Sequence, residues 1–422
     1  MVWAVVNVSR LLLSVTFILS GAVKLVDPRG TEYKIQDYGA AFGFSDALLD
    51  PVPLLSAILL SAFEFVMGIY MLFGMRRRLT TLAMLLFLSV MTPLTLYLAI
   101  VNPVSDCGCF GDAVKLTNWQ TFGKNVVLLL AVVIVMRYYR LMNRLITKRH
   151  QWMVSVYSWL FAFVFAAANL YYLPIVDLRP YHIGADLKGA MAAGTQYVTT
   201  FILEKDGVQR EFTLEDYPDS TWAFVDSKTT VLDGHAEGTG MESLQMLAVE
   251  TGEDVTEQVL TDTGYVFLLV APYLEKADDG IMDRLITLHD YCADNGYQCL
   301  CLTSSGEEEI ARWIELTGAE YPFCQTDAEV LKTMVRSNPG LMLLHNGVVE
   351  NKWSVATIPG EEELTAPVEE LPALHPAESS LRQKVLRIFL WYVLPLLFIA
   401  VADNLWVMWK LRKLHSIKPI KN

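Results

Sequence analysis

The chain has 422 residues, 53% of them hydrophobic, and a formal net charge of −13. This composition excludes a disordered chain, and the acidic balance argues against nucleic acid as a partner. A mean hydropathy of +0.34 is typical of a membrane protein that also carries a sizeable soluble part.

Six apolar runs are long enough to cross a bilayer, which takes roughly 20 residues of helix. The first run contains Arg10 and lacks both a basic N-terminal region and a small-residue cleavage site. We therefore predict a membrane span there rather than a signal peptide. The predicted spans are approximately residues 2–25, 52–75, 79–101, 121–141, 153–173 and 387–409.

Basic residues cluster at 76–78, 137–149 and 410–421. Cytoplasmic loops are enriched in Lys and Arg, so this pattern predicts that both termini are cytoplasmic. The segment 174–386 has a net charge of −24 and the remainder +11, which fits a placement of this segment outside a bacterial inner membrane. All six cysteines would then lie on the periplasmic side, where disulfides can form.

Arg10, Lys24 and Glu64 lie within or near the predicted spans, where charged residues are functional candidates. Arg10 and Glu64 are at similar predicted depths, so we expect that they can pair. Two interpretations stay open: a structural ion pair, or a proton relay or headgroup contact beside a quinone. Lys24, near the outer end of the first span, either extends to the interface or stabilises a thiolate or a reduced quinone.

A Cys-Gly-Cys-Phe-Gly-Asp sequence occupies residues 107–112, in a short loop between two spans. Cys107 and Cys109 can close a small disulfide ring only if the backbone turns tightly, which the intervening glycine permits. A strained disulfide is easier to reduce than a structural one, so the pair predicts an electron-transfer site. Asp112 either guides a proton there or caps the loop or the following span.

The first part of the chain resembles the DoxX family. The resemblance rests on Arg10, the stretch 20–28 (Ser-Gly-Ala-Val-Lys-Leu-Val-Asp-Pro), Tyr38, Phe42 and Glu64. The Cys-Gly-Cys-Phe-Gly-Asp segment is more similar to the MauE branch, the methylamine-utilisation membrane proteins. Together these likenesses cover about residues 5–140 and predict a four-helix membrane domain over 1–145.

The resemblance implies membrane redox work. DoxX members are associated with quinone-linked oxidation of sulfur compounds, and MauE members with disulfide formation in a periplasmic enzyme. The motif positions carried over to this chain are Arg10, Lys24, Glu64, Cys107 and Cys109. Quinone is the candidate cofactor. The two added spans, 150–174 and 386–410, and the large soluble segment distinguish the chain from a simple four-helix member.

The segment 175–255 is predicted to be rich in β-strands, with a hairpin at Lys205-Asp206-Gly207. Strands and helices then alternate over 256–356, which indicates a largely parallel sheet with helices on both faces. This order resembles a thioredoxin-like domain of the TlpA type, with Pro339 at the position of its cis-proline. The turn after the first core strand, 271–276, has no Cys-x-x-Cys pair, so we predict a degenerate thioredoxin fold that docks a partner or covers the membrane site.

The remaining cysteines are Cys292, Cys299, Cys301 and Cys324. Several roles stay open: small apolar core residues, a structural bridge from Cys299 or Cys301 to Cys324 or Cys292, or a redox pair. No metal is expected, because the histidines have no metal-type spacing with these thiols. The acidic, proline-containing segment 357–385 is predicted to be a tether to the last span.

Two functions follow from these patterns. The leading hypothesis is a membrane thiol-disulfide or quinone-linked redox component that acts on a periplasmic client or thiol donor through Cys107 and Cys109. The alternative is a non-enzymatic assembly factor, anchored in the bilayer, that binds a client through its thioredoxin-like domain.

Overall fold

The computed structural model describes residues 1–43, 51–103, 108–111, 114, 116–192, 197–205, 208–212, 222–231, 244–375 and 380–417. The chain forms two compact units. We call residues 1–170 with 379–422 the membrane unit, and residues 171–378 the α/β unit.

The helices are α1 Val2–Val26, α2 Pro28–Ala41, α3 Val52–Phe73, α4 Arg77–Val101, α5 Asn118–Arg137, α6 Gln151–Tyr172, α7 Leu187–Ala192, α8 Thr256–Thr261, α9 Met282–Asn295, α10 Glu307–Thr317, α11 Ala328–Met334 and α12 Leu381–Ile417. Within the described residues, six helices are long and apolar enough to cross a membrane: α1, α3, α4, α5, α6 and the first 30 residues of α12. Their exposed apolar side chains, such as Val90 and Phe398, fit a lipid bilayer. The prediction of a polytopic helical membrane protein with a soluble α/β domain is confirmed.

Helices α1 and α3 pack closely along their length because small residues lie at their contact. A side chain added at Gly21 would place its Cβ 2.3 Å from the backbone nitrogen of Phe65. At Gly68 the added Cβ would be 2.7 Å from the nitrogen of Ile18. In a bilayer, where lipid is as apolar as the helices, close backbone approach of this kind is a main source of association. The contact fixes which residues of α1 and α3 lie side by side.

Residues 28–41, in the segment that connects the first two spans, form α2. Asp27 caps this helix by accepting a hydrogen bond from Gly30 N, and Pro28 occupies the first turn, where its missing N–H costs nothing. Helix α2 packs against α3. Charged and polar residues are spread through this helix, so that its sequence shows no continuous apolar stripe.

The last helix, α12, packs against another span through aromatic contacts, and further along it Asp403 makes polar contacts with the loop that follows α5. The Tyr392 ring lies 4.5 Å from that of Phe161 between ring centroids. Asp403 accepts hydrogen bonds from Thr147 Oγ1 at 2.6 Å and Thr147 N at 2.8 Å, and His150 Nδ1 lies 2.6 Å from its Oδ1. Asp403 therefore holds the loop that follows α5.

The strands are β1 Tyr197–Lys205, β2 Val208–Phe212, β3 Ala223–Val231, β4 Leu247–Ala248, β5 Tyr265–Ala271, β6 Gln298–Thr303, β7 Phe323–Gln325, β8 Gly340–His345 and β9 Val348–Ser354. Strands β1 to β3 form a small antiparallel sheet in the order β2-β1-β3. Lys205 pairs with Val208 across the hairpin, whose turn residues 206–207 lie outside the described residues.

The main sheet has the order β4-β7-β6-β5-β8-β9. Strand β5 is parallel to β6 and antiparallel to β8, and β6 is parallel to β7. Every residue of β5 is buried, as expected of a central strand covered on both faces. Alternate β5 residues accordingly belong to two separate apolar clusters, one on each face. The Asn338–Pro339 peptide bond that precedes β8 is cis.

The segment after β9 is not the free tether that we predicted. Ile358, Val368 and Leu374 are fully or almost fully buried in the apolar cluster under α9. Tyr291 donates its hydroxyl hydrogen to Ala366 O at 2.8 Å, and Asn351 donates to Leu374 O at 3.1 Å. The apolar residues among the glutamates and prolines make residues 357–375 part of the α/β core.

Candidate functional site

A buried ion pair joins α1 to α3 in the membrane unit. Lys24 Nζ lies 2.7 Å from Glu64 Oε1 and 2.9 Å from Oε2, so the ammonium bridges both carboxylate oxygens. The two side chains are only 7% and 5% exposed. Charged groups at such a depth are costly unless paired, which makes the pair a candidate functional site.

The predicted pairing of Arg10 with Glu64 is wrong. Arg10 instead donates from Nη1 to Asn143 O at 2.7 Å, in the loop that follows α5. The close contact of Gly21 with Phe65 sets Glu64 level with Lys24. Arg10 is 14 residues from Lys24, or about 21 Å along the helix. The prediction failed because it counted both depths from the cytoplasmic ends of the two spans, whereas the contacts of Gly21 with Phe65 and of Gly68 with Ile18 offset the two helices along their axes.

Ser20 connects the ion pair to the cysteine loop. Its Oγ lies 2.6 Å from Glu64 Oε2 and 2.7 Å from the backbone oxygen of Cys109. A hydroxyl has one hydrogen to donate, so it cannot donate to both acceptors at once. If Glu64 is ionised, Ser20 can donate to it. If Glu64 is protonated, Glu64 can donate to Ser20, and Ser20 can donate to the Cys109 carbonyl.

The loop that carries Cys109 lies against α1 and α2. Gly108 has φ +61°, a left-handed conformation that a side chain would disfavour, and Gly111 N donates to Gly108 O to close a tight turn. A Cβ at Gly108 would meet the Lys34 side chain at 3.0 Å, which shows how closely α2 approaches. Cys107 and Asp112 lie outside the described residues, so their predicted roles stay predictions.

A narrow cleft opens beside the ion pair. Lys24, Glu64, Ser20 and Cys109 line it together with residues of α4 and α5. Its free space holds about two water molecules. A quinone ring would therefore need the helices to part, and quinone contact by these residues stays a prediction.

Three residues of this cleft were missed in the sequence. Ser20 is one helical turn before Lys24 and so shares its face, a spacing that could have identified it. Lys124 lies over the Phe110 ring at 4.6 Å, and Asn125 donates to Thr95 Oγ1 at 3.2 Å. Lys124 and Asn125 both lie in the first half of α5. The sequence there shows no helical periodicity that would indicate which residues face the other spans.

The α/β unit has its own buried charge cluster. Arg179 binds Asp177 in a bidentate manner at 2.8 and 3.0 Å, and Lys352 Nζ donates to the same carboxylate and to Met334 O. Burial opposes ionisation of Asp177, but Lys352 and Arg179 outweigh it and lower the pKa of its carboxyl well below the usual value. Burial, together with Arg179, lowers the pKa of Lys352 to about 8.

The four cysteines of the α/β unit lie on two faces of the sheet. Cys292, Cys299 and Cys301 belong to the apolar cluster beneath α9, whereas Cys324 belongs to the cluster on the opposite face. A bridge from Cys299 or Cys301 to Cys324, one of the predicted alternatives, is therefore wrong. Burial raises the pKa of Cys301, and burial with nearby Asp254 raises that of Cys324 to about 11.

The turn after β5 is held by the chain itself. Asn338 donates from Nδ2 to Tyr273 O at 2.7 Å, and Asp278 N donates to Asn338 O at 3.2 Å. Lys276 and Lys332 each lie 5.3 Å from the centroid of the Tyr273 ring. The turn thus presents an aromatic ring flanked by two ammonium groups, and it is tied to Asn338, the residue before Pro339. Across the described part of the chain, no three His, Cys, Asp or Glu side chains group as a metal site requires.

Comparison with known families gives two partial matches. Residues 2–137 match the family model described as methylamine utilisation protein MauE. This match covers α1 to α5 and so includes Ser20, Lys24, Glu64 and Cys109. Residues 197–233 match a family described as Domain of unknown function (DUF8463), which takes in β1 to β3. No curated protein and no solved structure matches the chain. The MauE match supports a membrane accessory role.

Proposed function

We propose that the protein is a membrane thiol-disulfide redox component in which Cys107 and Cys109 cycle between dithiol and disulfide. The observation that carries the proposal is the position of Ser20, between the buried Glu64 carboxylate and the Cys109 backbone. A charged pair buried beside Cys109 provides both a proton site and a positive group near that thiol.

The proposed reaction is thiol-disulfide exchange with a protein client. A client thiolate attacks the Cys107–Cys109 disulfide, and a second client thiol releases the mixed disulfide. The client gains a disulfide, and Cys107 and Cys109 become thiols, so two electrons and two protons arrive at the loop. Reoxidation requires an acceptor, for which we propose a disulfide or a quinone.

The ion pair has two roles in this proposal. Lys24 holds Glu64 in place by contacting both of its oxygens, and its charge favours a thiolate in the same cleft. Glu64 accepts or returns a proton through the water molecules that the cleft can hold. Protonation of Glu64 then redirects the Ser20 hydroxyl toward Cys109 O. The proton on Glu64 is therefore linked to the hydrogen bond between Ser20 and the cysteine loop.

The orientation follows from charge and cysteine placement. We infer that α2, the cysteine loop and the α/β unit lie in the periplasm of a bacterial inner membrane, with both termini in the cytoplasm. The basic clusters at 76–78, 137–149 and 410–421 support this topology. It places the thiols in a compartment that permits disulfides.

The α/β unit gives a second candidate function, binding of a client without chemistry. Its strand order, with β8 and β9 antiparallel beside a parallel core, supports a thioredoxin-like fold. The turn after the first core strand, residues 271–276, has no cysteine, whereas a redox thioredoxin carries its Cys-x-x-Cys pair there. An assembly factor of this kind would need Cys107 and Cys109 only to shape their loop.

An exchange assay separates the two functions. The full chain in lipid vesicles is mixed with a reduced model protein and oxidised glutathione, and client disulfides are counted after alkylation of free thiols. We expect catalysed oxidation by the wild type and at least a tenfold loss with Cys107→Ser/Cys109→Ser. The matched control, Cys324→Ser, alters a buried cysteine outside the proposed site. Equal rates for wild type and double variant would exclude the redox function and favour client binding.

A further inference from the structure

The last turn of α9 and the start of β6 bring two thiols together. Helix α9 ends at Asn295, and Gly296 reverses the chain with φ +71°. Tyr297 N donates to Cys292 O at 2.8 Å, which tightens the reversal. Strand β6 therefore returns directly beneath the helix turn that carries Cys292, and its second residue is Cys299.

The two side chains share one apolar cluster. Cys292 and Cys299 both belong to the cluster beneath α9, and both are free thiols. Cys292 is 1% exposed, while Cys299 is partly accessible. The neighbouring Cys299 thiol and the burial of Cys292 raise the pKa of the Cys292 thiol.

The other pairings in the unit are poorer. Cys301 shares a strand face with Cys299, but residues two apart on a strand are about 6.5–7 Å apart between Cα atoms, at the limit for a disulfide. Cys324 lies on the opposite sheet face. Among the described cysteines of the α/β unit, Cys292 and Cys299 are thus the pair that the fold brings together.

We propose that Cys292 and Cys299 form a disulfide that links α9 to β6, acquired by exchange with a disulfide oxidant. The Cys299 thiolate attacks one sulfur of the oxidant, forms a mixed disulfide and releases one thiolate. The Cys292 sulfur then attacks the Cys299 sulfur, which closes the internal bond and releases the second thiolate. Two protons and two electrons leave the protein, and the oxidant becomes two thiols. This site is independent of the redox cycle proposed for the membrane unit.

The order of attack follows from accessibility. Cys299 is the thiol that an oxidant can reach, and Cys292 is the buried resolving thiol. In Cys292→Ser, Cys299 should therefore remain bonded to one thiol of the oxidant as a stable mixed disulfide. In Cys299→Ser, Cys292 should remain unmodified because its side chain is buried in the apolar cluster beneath α9.

The test uses the full chain in detergent, incubated with oxidised glutathione, alkylated under denaturing conditions and digested without reduction. Mass spectrometry should find a peptide linked through Cys292 and Cys299, at least tenfold more abundant than any other pairing of the α/β unit. Cys324 should be alkylated. A glutathione adduct is expected on Cys299 in Cys292→Ser and not on Cys292 in Cys299→Ser.

Three results would overturn the proposal. They are full alkylation of Cys292 and Cys299 in the treated wild type, a persistent mixed disulfide on wild-type Cys299, or a dominant link through Cys301. Cys324→Ser controls for general effects of removing a buried thiol, and it should give the same linked peptide as the wild type.

Discussion

Each unit of the protein buries a lysine against a carboxylate, and the two arrangements differ in what surrounds them. In the α/β unit, the Asp177 carboxylate accepts two hydrogen bonds from Arg179 and one from Lys352, and Lys352 also donates to the backbone oxygen of Met334. In the membrane unit, the Glu64 carboxylate forms an ion pair with Lys24, and the Ser20 hydroxyl lies between Glu64 and the Cys109 carbonyl. The membrane pair borders a cleft that a cysteine also lines.

Burial of charge alone therefore does not mark a functional site. The Asp177 cluster ties residues that precede β1 to β9 and to the end of α11, a structural role with a full set of partners. At the Glu64 site, the single hydroxyl hydrogen of Ser20 faces two acceptors, Glu64 Oε2 and Cys109 O. Protonation of Glu64 can therefore change which of them accepts it. Four predictions test this distinction, from the largest expected effect to the smallest.

The largest effect should come from breaking the Lys24–Glu64 pair. Lys24→Met leaves a buried carboxylate without its ammonium, and such losses typically cost about 3–5 kcal/mol. The double variant Lys24→Met/Glu64→Met should recover most of this stability because it buries no charge. Thermal unfolding of the full chain in detergent measures both. A single variant as stable as the wild type would show that the pair does not stabilise the bundle.

The double variant also separates stability from chemistry. It should remain folded and yet lose client oxidation in vesicles, because no proton site is left beside the cysteine loop. Full activity in the double variant would make the pair purely structural, like the Asp177 cluster.

The second prediction concerns pH and Lys352. The folded pKa of Lys352 is lowered to about 8, whereas an unfolded lysine titrates near about 10.4. Between these values the unfolded chain binds a proton that the folded chain lacks, so the free energy of unfolding rises with pH. We expect a gain of up to about 3 kcal/mol for the α/β unit across this range.

Urea unfolding of the full chain, followed by near-ultraviolet circular dichroism, measures the gain. Lys352→Met should flatten this part of the pH profile. A wild-type stability that falls steadily from pH 8 to pH 10 would contradict the assignment of a buried, destabilised ammonium. On the acid side, Asp177 should contribute stability above its ordinary pKa, and this contribution should be lost as the pH falls through its lowered value.

The third prediction tests the helix contact that sets the register. Gly21→Ala places a Cβ against the Phe65 backbone, which cannot move as a side chain can. We expect a loss of about 1–3 kcal/mol, typical of overpacking. Gly123→Ala in α5 is the matched control, since a Cβ there meets nothing within 4 Å. Thermal unfolding in detergent compares the two, and equal stabilities would refute the contact.

The smallest effect on stability should come from Ser20. Ser20→Ala removes one buried hydrogen bond and should cost about 1 kcal/mol. It should also reduce the pH dependence of Cys107–Cys109 reduction, measured by thiol trapping. Ser61→Ala is the control, because Ser61 is also buried, in α3, but donates to Ala57 O within its own helix. If Cys107–Cys109 reduction depends on pH in the same way in both variants, Ser20 does not link Glu64 to the loop.

Local patterns predicted the regular elements better than their registers. The first core strand, β5, was identifiable because a fully buried apolar run is a strong signal. The predicted pairing partner of Glu64 was wrong, because the pairing depends on how the contact of Gly21 with Phe65 sets α1 against α3. The tether was misread because sparse apolar residues such as Val368 among glutamates show no period, although they are buried.

The Cys107–Cys109 site was identifiable only in part. Its motif is local, so the sequence indicates it directly. Ser20 acts through a contact 89 residues away along the chain, with the backbone of Cys109, and no sequence pattern specifies such a contact. The thiol pair of α9 and β6 likewise depends on the reversal at Gly296, which places Cys292 over Cys299.

The central claim is that a proton on Glu64 is linked to the redox state of Cys107 and Cys109. The most direct measurement is the reduction potential of this pair in purified membranes, by thiol trapping against glutathione buffers from pH 6 to pH 8, for wild type and Glu64→Gln. Glu32→Gln serves as the control, since Glu32 is also buried but pairs with Arg29. We predict a reversible couple whose potential shifts by about 30 mV or more in Glu64→Gln, a tenfold change in the equilibrium, and by less in the control. A pair that stays oxidised in strongly reducing buffer, or a potential unaffected by Glu64→Gln, would contradict the account.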